Sequence, residues 1–136
     1  MDNILRIIVA LLCGSLIGYE RESQDKSAGL RTCILTIFSM TMAMIFNNCL
    51  LEKIGITFDF ARIPSYCIAS IGFLGSGVII LNKKQVEGIT TASVLLCLVI
   101  AGLLCGLGEY ILTITSTLIM YGVLKLKHFK IKGKNE

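Results

Sequence analysis

Residues 62–93 read RIPSYCIASIGFLGSGVIILNKKQVEGITTAS: an apolar stretch carrying Gly72, Gly75 and Gly77, a Lys-Lys break, then Gly88-Ile-Thr-Thr-Ala. A helix in hydrocarbon that gives up side-chain volume at several positions does so to let another helix, or a ligand, reach its backbone. The stretch thus pairs a glycine-rich span with a threonine-led span.

Composition sets the class. The chain has 136 residues, of which 54% are hydrophobic and 16% charged, with mean hydropathy +0.79. A soluble core of this size normally carries about 25% charged residues. The expectation is an all-α polytopic membrane helix bundle forming one compact domain over residues 1–126, followed by a short basic tail at 127–136. One proline and no tryptophan agree with helices whose interface anchors are Tyr, Lys and Arg.

About five apolar spans are expected, at 4–19, 32–51, 63–81, 90–105 and 109–126. Several lie near the lower limit of the roughly 17–25 residues that cross a bilayer. With five crossings, Arg21, Lys26, Arg31, Lys83, Lys84, Lys125, Lys127, Lys130, Lys132 and Lys134 share one side. Only Arg6, Lys53 and Arg62 fall on the other. The positive-inside rule then expects the N-terminus outside and the C-terminus in the cytoplasm.

Six cysteines, Cys13, Cys33, Cys49, Cys67, Cys97 and Cys105, fall in or beside apolar stretches without CxxC spacing, which reads as small hydrophobes rather than a metal or disulfide framework. Asp2 stands where a signal peptide would be basic, so no cleaved leader is expected. The tail LKLKHFKIKGKNE alternates lysines with Leu, His, Phe and Ile; such a run can hold anionic headgroups, but it reads as a topology determinant rather than as a lipid or nucleic-acid site. Its His128 has no second metal ligand nearby.

This orientation brings four motifs to the cytoplasmic ends of four helices. Glu20, Arg21 and Glu22 end the first span, Arg31 and Thr32 start the second, Gly75 and Gly77 end the third, and Thr90 and Thr91 start the fourth. The candidate functional cluster is therefore Glu20, Arg21, Glu22, Arg31, Thr32, Thr90 and Thr91. A structural reading stands beside it: the ions pair across the first loop, and Thr90 is a helix N-cap. Asp59 and Arg62 form a candidate outer-side pair, spaced as an i, i+3 ion pair.

The glycines read as packing positions. Gly14 with Gly18, and Gly102 with Gly106, have small-xxx-small spacing, and Ser65, Ala69, Gly72 and Ser76 share one face of the third helix. Gly75 and Gly77 lie off that face and are candidates to unwind the helix near its inner end. A tightly packed bundle, and a homo-oligomer with a dimer as the expected state, follow from this face.

Taken in order, Gly14-x-x-x-Gly18-Tyr19-Glu20-Arg21-Glu22, Ala28-Gly29-Leu30-Arg31-Thr32, Asp59-x-x-Arg62-Ile63, Ile71-Gly72-Phe73-Leu74-Gly75-Ser76-Gly77 and Gly88-Ile89-Thr90-Thr91-Ala92 closely resemble the membrane domain of the MgtC/SapB family. The resemblance covers about residues 5–125. Ser70 and Ser76 stand where the family pattern has Gly and Ala, and Leu96 stands where it has Trp; these exchanges at packing positions leave the fold in place. Longer members carry a soluble C-terminal ACT-like domain, so the membrane domain alone is expected here.

The resemblance implies a bacterial plasma-membrane, or inner-membrane, protein linked to magnesium homeostasis, adaptation to low Mg²⁺ and survival inside host cells, a virulence-associated setting. It implies a regulator that engages a partner in the bilayer, F-type ATP synthase or a transporter. A Mg²⁺ or other small-ion transporter is the alternative. The residues weigh against the alternative: Glu20, Glu22, Asp59 and Glu109 all lie at interfaces, while intramembrane ion paths usually carry ionisable groups. With no Ser-His-acid set, paired histidines or phosphate loop, no enzyme is expected, and no cofactor beyond Mg²⁺ itself.

Overall fold

The computed structural model describes residues 2–54, 59–82 and 85–126. Helices α1 (Asp2–Ser23), α2 (Leu30–Ile54), α3 (Arg62–Val78), α4 (Ile89–Leu107) and α5 (Tyr110–Lys125) follow in order. A hairpin of β1 (Ile80–Asn82) and β2 (Gln85–Glu87) joins α3 to α4. Helices α1, α2 and α4 are each long and apolar enough to cross a membrane. At 17 and 16 residues, α3 and α5 rise about 25 Å, near the lower limit for a crossing. Lys83, Lys84 and the tail at 127–136, with His128, lie outside the described residues.

Helix α2 is the hub. Both α1 and α4 pack along it, α5 closes against α4 and α1, and α3 leans on α4 with little contact to α2. One core cluster joins Ala10, Cys13 and Ile17 of α1 to Cys33 and Ile37 of α2 and to Val94, Leu98, Ala101 and Cys105 of α4. A second joins Met44, Ile71, Leu95, Val99 and Leu103. The outward faces carry exposed Leu12, Phe46, Phe73 and Ile111. Water would penalise such faces, whereas hydrocarbon solvates them as well as it solvates any Leu.

Glycine makes the hub tight. A Cβ at Gly14 would stand 2.6 Å from Ile37 Cγ2, and one at Gly18 would stand 2.7 Å from Leu30 Cα. On the other side of α2, a Cβ at Gly102 would meet Ile37 O at 2.6 Å, and one at Gly106 would meet Met44 Cβ at 2.5 Å. Backbones that close also hydrogen-bond. The Thr41 hydroxyl is shared between Ile37 O at 2.9 Å and Gly102 O at 3.0 Å across the interface.

The third helix departs from expectation at its end. It stops at Val78 instead of running to 81, because the β-branched Ile79 and Ile80 that follow enter an extended backbone, with Ile79 at φ −88° and ψ 116°. Ile80 then pairs with Glu87, Leu81 with Val86, and Asn82 with Gln85, antiparallel. Gly88 completes the return at φ +90°, where a Cβ would lie 1.9 Å from Val78 O. Gly88 is thus a turn residue and not a helix-packing one. Gly75 and Gly77 leave α3 helical, so neither unwinds it.

The small-residue face of α3 also differs from its expected role. Ser65, Ala69, Gly72 and Ser76 are all exposed, and a Cβ at Gly72 or Gly77 would meet nothing within 4 Å. Only Gly75 is buried, with Ala92 Cβ an ordinary 3.6 Å from the position of its missing side chain.

Candidate functional site at the hairpin end

One end of the bundle gathers the finish of α1 and α3, the start of α2 and α4, and the β1–β2 hairpin. Helix α1 closes there with Asp25 at φ 50°, which turns the chain so that the Lys26 amide reaches Arg21 O at 3.1 Å. The carboxylate of Glu22 points out of the bundle and accepts the Leu30 amide at 2.8 Å, capping the start of α2. Gly29 leaves room for this: its Cβ would come within 3.0 Å of the same carboxylate oxygen.

Inside that turn sits a buried ion pair. Arg21 Nε donates to Glu20 Oε2 at 2.6 Å, with both side chains 5% exposed. It is the one ion pair among the described residues. Neither ion crosses the first loop to Arg31. Thr91 is also buried, one helical turn before Val94, which packs in the same cluster as Ile17 and Cys33. That puts Thr91 at the level of the pair, although no hydrogen bond joins its hydroxyl to Glu20 or Arg21.

The predicted cluster therefore divides. Glu20, Arg21 and Thr91 turn inward, Glu22 caps α2, and Arg31, Thr32 and Thr90 are exposed. Thr90 is not an N-cap, because α4 starts at Ile89 behind Gly88, with no side-chain cap. A pair buried this way is neutral as a unit, and removing either partner strands the other charge. It organises an end of the bundle and offers no open cation site. No group of three or more His, Cys, Asp or Glu suited to a metal occurs among the described residues. All six thiols are free, and Cys13, Cys33 and Cys105 are packed in the core.

The opposite end holds polar residues that the spacing of motifs does not reveal. Arg6 Nη1 donates to Gly106 O at 2.7 Å, tying the first turns of α1 to the last turn of α4 across 100 residues of sequence. Gly108, at φ +94°, leaves space for the guanidinium, whose Nη2 lies 3.3 Å from where a Cβ would stand. Arg6 Nε is enclosed without a hydrogen-bond partner. Asn48 Nδ2 reaches the same Gly106 carbonyl at 3.4 Å, and the fully buried Asn47 donates to Phe60 O at 3.2 Å. An arginine and an Asn-Asn pair within otherwise apolar spans were the available signal. Asp59 and Arg62 make no ion pair; the Asp59 carboxylate instead accepts the Ala61 amide at 3.0 Å at the entry to α3.

Residues 7–131 match the sequence profile of the MgtC family. Protein MgtC of Salmonella typhimurium strain LT2 is 38% identical over 118 residues, which cover 86% of this chain and 48% of the relative. "Putative magnesium transporter YhiD" of Escherichia coli K12 is 32% identical over 143 residues, covering 98% of this chain and 66% of the relative. The uncharacterized protein slr0014 of a Synechocystis strain is 35% identical over 109 residues, covering 80% and 45%. The chain thus spans about half the length of the Salmonella relative. No solved structure matches it.

Proposed function

The chain belongs to the MgtC family, and from that premise we propose that it is a non-enzymatic membrane regulator of magnesium and ion homeostasis, acting by docking a membrane partner on α3. The observation that carries this reading is the contrast among its small-residue faces. The glycine pairs of α1 and α4 are filled by α2, whereas Ser65, Ala69, Gly72 and Ser76 of α3 face outward beside Phe73, which is 83% exposed. In hydrocarbon such a face gains by close contact with another helix. A subunit of F-type ATP synthase, a transporter or a second copy of this chain is the proposed occupant, in the bacterial inner membrane with the hairpin end cytoplasmic.

Transport is the second reading, favoured by the name of the Escherichia coli relative. Against it, the clusters between the two polar ends contain no carboxylate, and the acidic group buried at the hairpin end is already paired to Arg21. A Mg²⁺ ion keeps several waters and binds one or two carboxylates. Purified protein in sealed liposomes with an internal Mg²⁺ dye should give no flux above empty vesicles. Its expression in cells grown in low magnesium should shift membrane potential or ATP level. Saturable Mg²⁺ flux above that of empty vesicles would overturn the regulatory reading.

A further inference from the structure

The end opposite the hairpin contains an open cleft of about 480 Å³ between the first turns of α1 and the last turns of α2. That size is typical of small-molecule sites. Its polar walls are Asp2, Asn3 and Arg6 from α1 and Asn48 and Glu52 from α2. We propose that it seats a zwitterionic phosphate-ammonium group, the chemistry of a phosphoethanolamine headgroup at the membrane surface. This inference does not depend on the regulatory reading.

Arg6 is half-buried and pinned by its bond to Gly106 O. Asp2 and Glu52 line the same cleft, yet neither pairs with it, since Glu20 with Arg21 is the one ion pair among the described residues. A purely anionic ligand would meet two carboxylates, and a purely cationic one would meet a fixed guanidinium. A dipolar group satisfies both signs at once.

The order of the charges along the bundle matches a lipid. On α1, Arg6 lies four residues deeper than Asp2, and on α2, Asn48 lies four residues deeper than Glu52. Four residues rise about 6 Å, comparable to the two-carbon bridge between a phosphate and its ammonium group. The deeper layer, Arg6 with the Asn48 amide, takes the phosphate by charge-assisted hydrogen bonds. The outer layer, Asp2 with Glu52, takes the ammonium. Below the phosphate layer the wall turns apolar: Ile45 lines the cleft, and Met42, three residues earlier on the same face of α2, is exposed for an acyl chain to follow.

The test uses the full chain purified in phospholipid-free detergent, with thermal stability followed as dioleoyl phosphatidylethanolamine, phosphatidylglycerol or phosphatidylcholine is added. Phosphatidylethanolamine should raise the melting midpoint at a concentration about fivefold below the other two, because only it offers both a phosphate and N–H donors for the carboxylates. Asp2→Asn with Glu52→Gln, both exposed positions, should erase that advantage without lowering the lipid-free midpoint. Competition by free O-phosphoethanolamine at equal concentration would support the ligand class and assign it to a soluble zwitterion. Equal response to all three lipids would overturn the proposal, as would an advantage that survives the double substitution. So would protection by MgCl₂ alone that is lost in the double variant, which would mark a cation site.

Discussion

Gly14, Gly18, Gly102 and Gly106 share a spacing with the small residues of α3, and the bundle leaves the two sets in opposite surroundings. The first four lie against α2, where an added Cβ would approach atoms of α2 at 2.5 to 2.7 Å. On α3, Gly72 and Gly77 face open space. The difference comes from neighbours and not from the helix itself: α2 is flanked on two sides, whereas α3 leans on α4 through Ile71 and Gly75 and leaves its small face outward. Small-xxx-small spacing thus marks a surface that admits a close helix, and the fold decides whether one of its own helices fills it.

The largest expected effect is at the end of the hub. Glu20→Leu leaves Arg21 buried without its partner and should cost about 3–5 kcal/mol, seen as loss of the folded fraction in detergent. Adding Arg21→Met should restore most of it, because a well-packed apolar pair replaces a desolvated ionic one at little cost. Failure of the double variant to recover would give the pair a role beyond charge balance.

Next comes overpacking. Gly18→Leu and Gly106→Leu push side chains into Leu30 and Met44 and should each cost about 3 kcal/mol in thermal or denaturant stability, at the upper end for added core volume. Gly72→Leu should change the same readout by less than about 0.5 kcal/mol. Equal losses at all three sites would erase the contrast between hub and α3. A smaller effect is expected at Thr41→Val, about 1 kcal/mol, since the hydroxyl bond to Gly102 is lost while the shape is kept.

Much of the architecture was legible in the residues. Apolar stretches separated by charged or glycine-rich breaks located all five helices, and the short break expected between 105 and 109 is a real turn that falls at Gly108, φ +94°, after α4 has run on to Leu107. The end of α3 was not legible, because an apolar run such as Val78-Ile79-Ile80-Leu81 continues a helix or begins a strand with equal periodicity. The convergence of motifs at one end was legible, but not which side chains turn inward. Glu20 and Glu22 are about 200° apart on one helix, so one is buried and the other caps α2. Arg31 carries the same charge as Arg21 at the same end and is nonetheless exposed. Arg6 escaped because its partner carbonyl lies 100 residues away, and no local pattern encodes that contact.

The most direct test of the docking account compares two equally bare positions. A photo-crosslinking phenylalanine analogue at Phe73, 83% exposed on α3, and another at Ile111, 81% exposed on α5, should be activated in native membranes. A discrete protein adduct is expected at Phe73 that disappears with Gly72→Leu, with only lipid adducts at Ile111. Lipid adducts alone at both positions, or a Phe73 protein adduct indifferent to Gly72→Leu, would contradict it.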